Sequence, residues 1–175
     1  MRLSGVQEKF ILHWGEMGAK WGINRTVAQI HALLYLAPHP LHAEEIATTL
    51  SVARSNVSTS LRELQGWGIV KVVHVLGDRR DHFESMSDVW EMFRVVLDER
   101  KRREIDPTLQ MLRECLAQAE KGKEDAHTRE RLGTMLNFLE TMDQWYEQLR
   151  RLPTQALVKF VRMGGKVLKT LGLGA

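Results

Sequence analysis

The sequence holds one cysteine among its 175 residues, so Cys115 cannot belong to an internal disulfide framework, and a reducing compartment suits it. No apolar run approaches the roughly 20 residues of a membrane span, and the start Met1-Arg2-Leu3-Ser4-Gly5 lacks the apolar core of a secretory signal. A cytoplasmic location is the expectation. A nucleophile elbow, a phosphate-cradling loop, paired catalytic carboxylates and zinc-protease spacing are all missing, so neither catalysis nor a cofactor is expected. His39 and His42, near Glu44 and Glu45, are metal-ligating residue types, but Pro38 and Pro40 interrupt them and no second cluster matches. Loop and cap roles fit them better, and no metal is assigned. Internal repeats and low-complexity linkers are absent as well.

What is present suits an ordinary globular chain, 43% hydrophobic and 27% charged, long enough to bury a core. The formal net charge is +3 and the pI about 9.2, but the charge is unevenly spread. From His42 to Met86 five basic side chains stand against six acidic ones, a net −1. Much of the basic excess follows Glu147, in Arg150, Arg151, Lys159, Arg162, Lys166 and Lys169.

The most informative stretch runs from Leu41 to Ser87. Ala43 to Leu50 reads as a short helix with two acids in its first turn, where the helix dipole favours them, and Ser51-Val52-Ala53 as a turn. On a helix starting near Ala53, Val57, Leu61 and Leu64 form one apolar stripe. The opposite side carries Arg54, Ser55, Asn56, Ser58, Thr59 and Arg62, short hydrogen-bonding groups and two guanidiniums in place of the usual Glu/Lys mixture. Such a face suits base edges and phosphates; a merely solvated helix face is the alternative. Gly68 is placed to end the helix. Residues 69–76, rich in β-branched side chains, Gly77-Asp78 and residues 81–86 then read as a two-stranded hairpin with Arg79 and Arg80 at its tip. Helix, turn, helix and hairpin make a winged helix-turn-helix.

The run GINRTVAQIHALLYLAPHPLHAEEIATTLSVARSNVSTSLRELQGWGIVKVVHVLGDRRDHFE resembles the DNA-binding domain of the MarR superfamily, and more closely its GbsR-like branch, named for a regulator of glycine betaine synthesis. GDRRDHFE resembles the wing, and VARSNVSTSLRELQGWGIV the recognition helix and its exit. The sequence departs from the usual pattern at Ala53, where a capping Ser or Thr is common; a lost cap costs about 1 kcal/mol and leaves the outward polar set intact. The resemblance implies a homodimeric transcriptional regulator whose recognition helices enter successive major grooves of a pseudo-palindromic operator while each wing reaches toward backbone or minor groove. It also leaves room for a ligand that loosens DNA binding, as in a repressor.

Around this head, Val6, Phe10, Trp14, Met17 and Trp21 recur at helical spacing from about Ser4 to Lys20, and Asn24 caps a helix from Arg25 to Ala37 with Val27, Ile30, Leu33 and Leu34 inward. Ser87 is expected to cap a long helix reaching about Arg103, and Asp106-Pro107 to start the next, ending near Gly122. Residues 125–151 carry a near-heptad stripe, Leu132, Leu136, Leu139, Met142 or Asp143, Tyr146 and Leu149, and also Met135, Phe138 and Trp145; that breadth points to burial against another subunit. After Pro153 a basic amphipathic segment with Leu157, Phe160, Val161, Val167, Leu168 and Leu171 fits a dimer arm better than a membrane surface. The expected fold is thus mainly α with a small β-hairpin: a winged-helix DNA-binding domain over 1–87 and a helical dimerisation region over 88–175.

Five tryptophans raise a ligand question, since aromatic faces can cage a quaternary ammonium such as choline or betaine. Trp14, Trp21, Trp90 and Trp145 are the candidates, with core packing the alternative for each. Cys115 adjoins a helix stripe without a facing cationic activator, so a buried small residue describes it better than a redox sensor. The rival to the regulator is a winged-helix module that binds another protein without reading DNA sequence, a reading motivated by the slightly acidic head.

Overall fold

Capping starts the first two helices. At the head of α1 (Gly5–Lys20), the Ser4 hydroxyl accepts from Gln7 N while the Gln7 side chain accepts from Ser4 N, a reciprocal capping box. The Asn24 side chain accepts from Thr26 N at 2.8 Å and starts α2 (Arg25–Leu36). The computed structural model describes residues 1–122 and 124–170, with side chains described through Met163, so Val167, Leu168 and Leu171 of the basic segment lie outside the described side chains. The chain divides into two compact units, Met1–Val95 and Val96–Ala175.

In the first unit the inward face of α1 is Ile11, Gly15 and Gly18, and not the aromatic stripe that periodicity favours. Val6 is 80% exposed and Trp21 53%. Phe10 stacks on Trp14 (centroids 5.5 Å apart) and Trp14 meets Trp21 edge to face (6.5 Å), so these rings pack on one another along the flank. The two glycines admit α2 at close range: a Cβ at Gly18 would lie 2.5 Å from Ala28 Cβ, and one at Gly15 2.6 Å from Gln29 Cγ. Gly133, inside a helix of the second unit, has nothing within 4 Å of such a Cβ. Gly133→Ala is therefore expected to stabilise the fold by about 0.5–1 kcal/mol. Gly18→Ala should lose that gain to overpacking of about 1–3 kcal/mol. Urea midpoints moving up for the first and down for the second would confirm both signs.

The buried residues Val27, Ile30, Leu33 and Leu34 of α2 form the floor on which the helix-turn-helix rests. The chain then makes β1 (Leu41–His42), α3 (Ala43–Leu50) and α4 (Arg54–Gly66). The His42 ring caps α3, its Nδ1 accepting from Glu45 N. Ser51 makes the turn at φ +53°, the one non-glycine residue with positive φ among the described residues. Val57, Leu61 and Leu64 are buried as the spacing predicts, joined by Ser60. Ala53 takes the N-cap position of α4 and offers no side-chain bond. Gly68, at φ +77°, ends the helix with Ile69 N donating to Leu64 O and Gly68 N to Gln65 O, a Schellman closure.

β2 (Val70–Val73) pairs antiparallel with β3 (His82–Ser85), Val72 opposite Phe83. The sheet has a third strand, unforeseen from the sequence: β1 pairs with the other side of β3, Leu41 opposite Phe83, giving the order β1-β3-β2. Two residues after a proline carry no period, so only the fold reveals the pairing. Between β2 and β3, Asp78 N donates to Val75 O at 3.0 Å across a turn whose third residue, Gly77, has φ +86°, the sign a type II turn requires there.

Asp88, and not Ser87, caps α5 (Val89–Arg100), its Oδ1 accepting from Trp90 N (2.8 Å) and Glu91 N (3.1 Å). A carboxylate gains more than a hydroxyl from the helix dipole, and the helix starts one residue later than expected. Nor does α5 stop before Asp106: it passes through a π-helical turn, Lys101–Ile105, directly into α6 (Asp106–Lys121). Pro107 cannot donate to the carbonyl four residues back and its ring crowds it, and the widened turn falls at that place.

In the second unit Leu109, Leu112 and Ala119 of α6 are buried, and α7 (Ala126–Arg150), capped by Asp125, lies along it. Lys101 Nζ lies 2.6 Å from Asp106 Oδ1 and 3.1 Å from Asp143 Oδ1, tying the π turn to α7. The Tyr146 hydroxyl donates to Asp98 Oδ1 at 2.7 Å. On α7 Leu132, Leu136, Leu139, Tyr146 and Leu149 are half-buried, while Met135, Phe138, Met142 and Trp145 are exposed. After Pro153 comes α8 (Thr154–Thr170). Among the described residues no helix is long and apolar enough to cross a membrane, and no three metal-ligating side chains converge.

Candidate nucleic-acid interface

Burial of Val57, Leu61 and Leu64 fixes the roll of α4 and turns Arg54, Ser55, Asn56, Ser58, Thr59 and Arg62 to solvent, all six exposed. Ser51, in the left-handed conformation, and the chain through Ala53 set α4 across α3, as in a helix-turn-helix. Arg79 and Arg80 are exposed in the wing.

A cleft of about 370 Å³ lies between α4 and the sheet, with Arg54, Ser58, Arg62 and Gln65 on the helix side and Val72, Arg80 and Phe83 on the other. It brings together four of the eight residues singled out from the sequence, Arg54, Ser58, Arg62 and Arg80. Ser55, Asn56 and Thr59 do not line it, and Arg79 has no ion-pair partner among the described residues.

Arg80 is held firmly. It grips Asp78 through Nε (2.9 Å to Oδ1) and Nη2, and its backbone N–H donates to the same Oδ1 at 3.0 Å. These hydrogen bonds hold the Asp78 carboxyl well below the usual carboxylate range. Asp78 thus orients the guanidinium. His82, buried at the base of the wing, packs edge to face on His42 at 5.5 Å and closes the contact between wing and α3. Glu44 of α3, which the sequence marks as a first-turn acid near His42 and not as a contact of the arginines, lines the same cleft, and its Oε1 accepts from Arg54 Nη1 at 2.7 Å.

Residues 21–81 match the MarR family model. That span runs from the C-cap of α1 to the turn between β2 and β3, short of β3, and contains all eight candidate DNA contacts. A solved structure described as a transcriptional regulator superposes with a TM-score of 0.65 at 22% identity, covering 89% of this chain and 98% of that chain. At that identity the likeness is one of fold, a winged helix-turn-helix with further helices. Comparison with curated proteins gives no match.

The tryptophans are distributed. Trp14 and Trp21 touch within the first unit, and Trp90 stands half-buried in the first turn of α5. Trp145 belongs to the second unit, where it lines a cleft of about 350 Å³ with Leu97, Ile105, Leu139, Met142 and Tyr146. Cys115 is half-buried and sits 3.6 Å from Met111 Sδ.

Proposed function

We propose that the chain is a sequence-specific DNA-binding transcriptional regulator of MarR type, in its GbsR-like branch, acting as a homodimer. The observation that carries this reading is the solvent-facing side of α4, where six hydrogen-bonding side chains are all exposed, in the same family-matched segment as the two wing arginines. In a dimer, two such helices separated by about one helical turn of DNA, on the order of 34 Å, read a pseudo-palindrome. Arg54, Ser55, Asn56, Ser58, Thr59 and Arg62 supply base and phosphate contacts, and Arg79 and Arg80 carry the wing toward backbone or minor groove.

In this reading residues 1–87 read DNA and 88–175 dimerise. Exposure of Met135, Phe138, Met142 and Trp145 at spacings of three and four supports it, because a heptad seam of that kind gains from burial against a second copy. An effector would act by favouring a dimer with the wrong spacing between recognition helices, steric or competitive in its result. A quaternary ammonium remains the effector class proposed, held by the ring faces of Trp14 and Trp21 or by Trp145 in its own cleft; titrating choline and betaine against tryptophan fluorescence should give a saturable change, and none by either would remove it.

Selection of random duplexes on the purified protein, at two salt concentrations, tests the main reading. An enriched inverted repeat is the expected result. Binding without enrichment that vanishes at moderate salt would mean phosphate attraction alone, and would favour a protein-binding module, in line with the head's net −1 charge.

A further inference from the structure

Glu44 opens α3, and its carboxylate points into the cleft between α4 and the wing. Oε1 accepts from Arg54 Nη1 at 2.7 Å, and Oε2 lies 3.8 Å from Arg80 Nη1. One anion thus sits between guanidiniums that line the cleft from opposite sides. This is the position a DNA phosphate would take, since two guanidiniums converging on an oxyanion is the arrangement that recognises phosphate.

Arg80 does not depend on Glu44 for its place, because Asp78 and the turn already hold it. All three side chains, Glu44, Arg54 and Arg80, are about half exposed or more, so the contacts exchange readily with solvent ions. What persists when they open is a negative charge beside the phosphate path. We propose that Glu44 is a built-in competitor for phosphate, occupying Arg54 and Arg80 in the free protein and limiting backbone-driven affinity. The inference rests on the DNA-binding reading and adds an element to it: DNA must displace a carboxylate, so contacts made by the outer face of α4 carry more of the selection.

The test compares wild type, Glu44→Gln and Glu45→Gln on heparin, a polyanion, and on a fluorescent duplex. Glu45 provides the control. It lies in the same turn with the same charge but pairs with His42, 3.5 Å away. Glu44→Gln should leave heparin at higher salt, bind duplex on the order of fivefold more tightly, and steepen the salt slope by about 0.9 per protomer. Glu45→Gln should give well under half of each shift, with thermal melts showing that both variants keep the fold. An unchanged or weakened Glu44→Gln, or a Glu45→Gln that matches it, overturns the competitor role. The heparin result answers for Glu44 even where duplex selection yields no preferred sequence, so the two readings fail separately.

Discussion

Alanine at Arg80 should weaken DNA binding more than alanine at Arg79, and the double replacement should cost at least on the order of a hundredfold in affinity at low salt. Removing Arg79 takes away one exposed, unpaired cation and should flatten the salt slope by about 0.9 per protomer. Removing Arg80 does more than subtract a charge. Asp78 loses the guanidinium that now neutralises it, and Glu44 loses one of its two partners, so carboxylates are left facing the proposed phosphate path. An Asp78→Asn, Arg80→Ala double variant should recover part of the loss, which identifies the stranded carboxylate as its source. Anisotropy titrations over a salt series measure all of these. A slope unchanged by the Arg79/Arg80 double replacement would refute wing contact, and an Arg79→Ala loss exceeding that of Arg80→Ala would contradict the assigned part of Asp78.

His31 should make the fold acid-sensitive. It is buried in α2, its Nε2 has no hydrogen-bond partner among the described residues, and burial lowers its pKa from 6.5 to about 4. From about pH 7.5 upward the ring is neutral folded or unfolded, and contributes no pH dependence. As the pH falls from 6.5 toward 4 the unfolded chain takes up a proton that the folded chain refuses, so stability drops by up to about 1.4 kcal/mol per pH unit. Below about pH 4 both states are protonated and this loss stops, at about 3 kcal/mol in all. Against a typical 5–15 kcal/mol that is a large share. Urea unfolding of wild type and His31→Leu at several pH values isolates the effect, because the other histidines are common to both. The variant should match or exceed wild type at pH 7, where no unpartnered nitrogen is buried, and hold a growing advantage toward pH 4.5. Parallel curves would remove His31 as the cause.

Much of the helix-turn-helix and wing is legible in sequence because its signals are local. Val57, Leu61 and Leu64 share a face by helical period alone, Asn24 and Gly68 punctuate by their own chemistry, and Gly77 supplies a backbone sign that few residues tolerate. Failures begin where the answer depends on what lies opposite. The aromatic stripe of α1 is real, yet the glycines beside it allow the closer neighbour, and periodicity does not rank stripes by approach distance. β1 exists because β3 offers an open edge. The π turn follows from a helix that continues past Pro107 where local signals predict a break. Glu44 is marked in the sequence as a first-turn acid near two histidines and not as a partner of arginine, since that pairing comes from Arg54 ten residues on and Arg80 thirty-six residues on.

The smallness of the sheet bears on how copies of this chain can meet. β3 is hydrogen-bonded on both sides, β1 is two residues long, and β2 is four with Lys71 pointing outward. Short edges bearing a lysine make poor templates for a strand from another molecule, the route by which exposed sheets seed fibrils and swapped dimers. A dimer of the proposed kind would then form through helix surfaces, which join by side-chain packing in a fixed register and stop growing once the seam is filled.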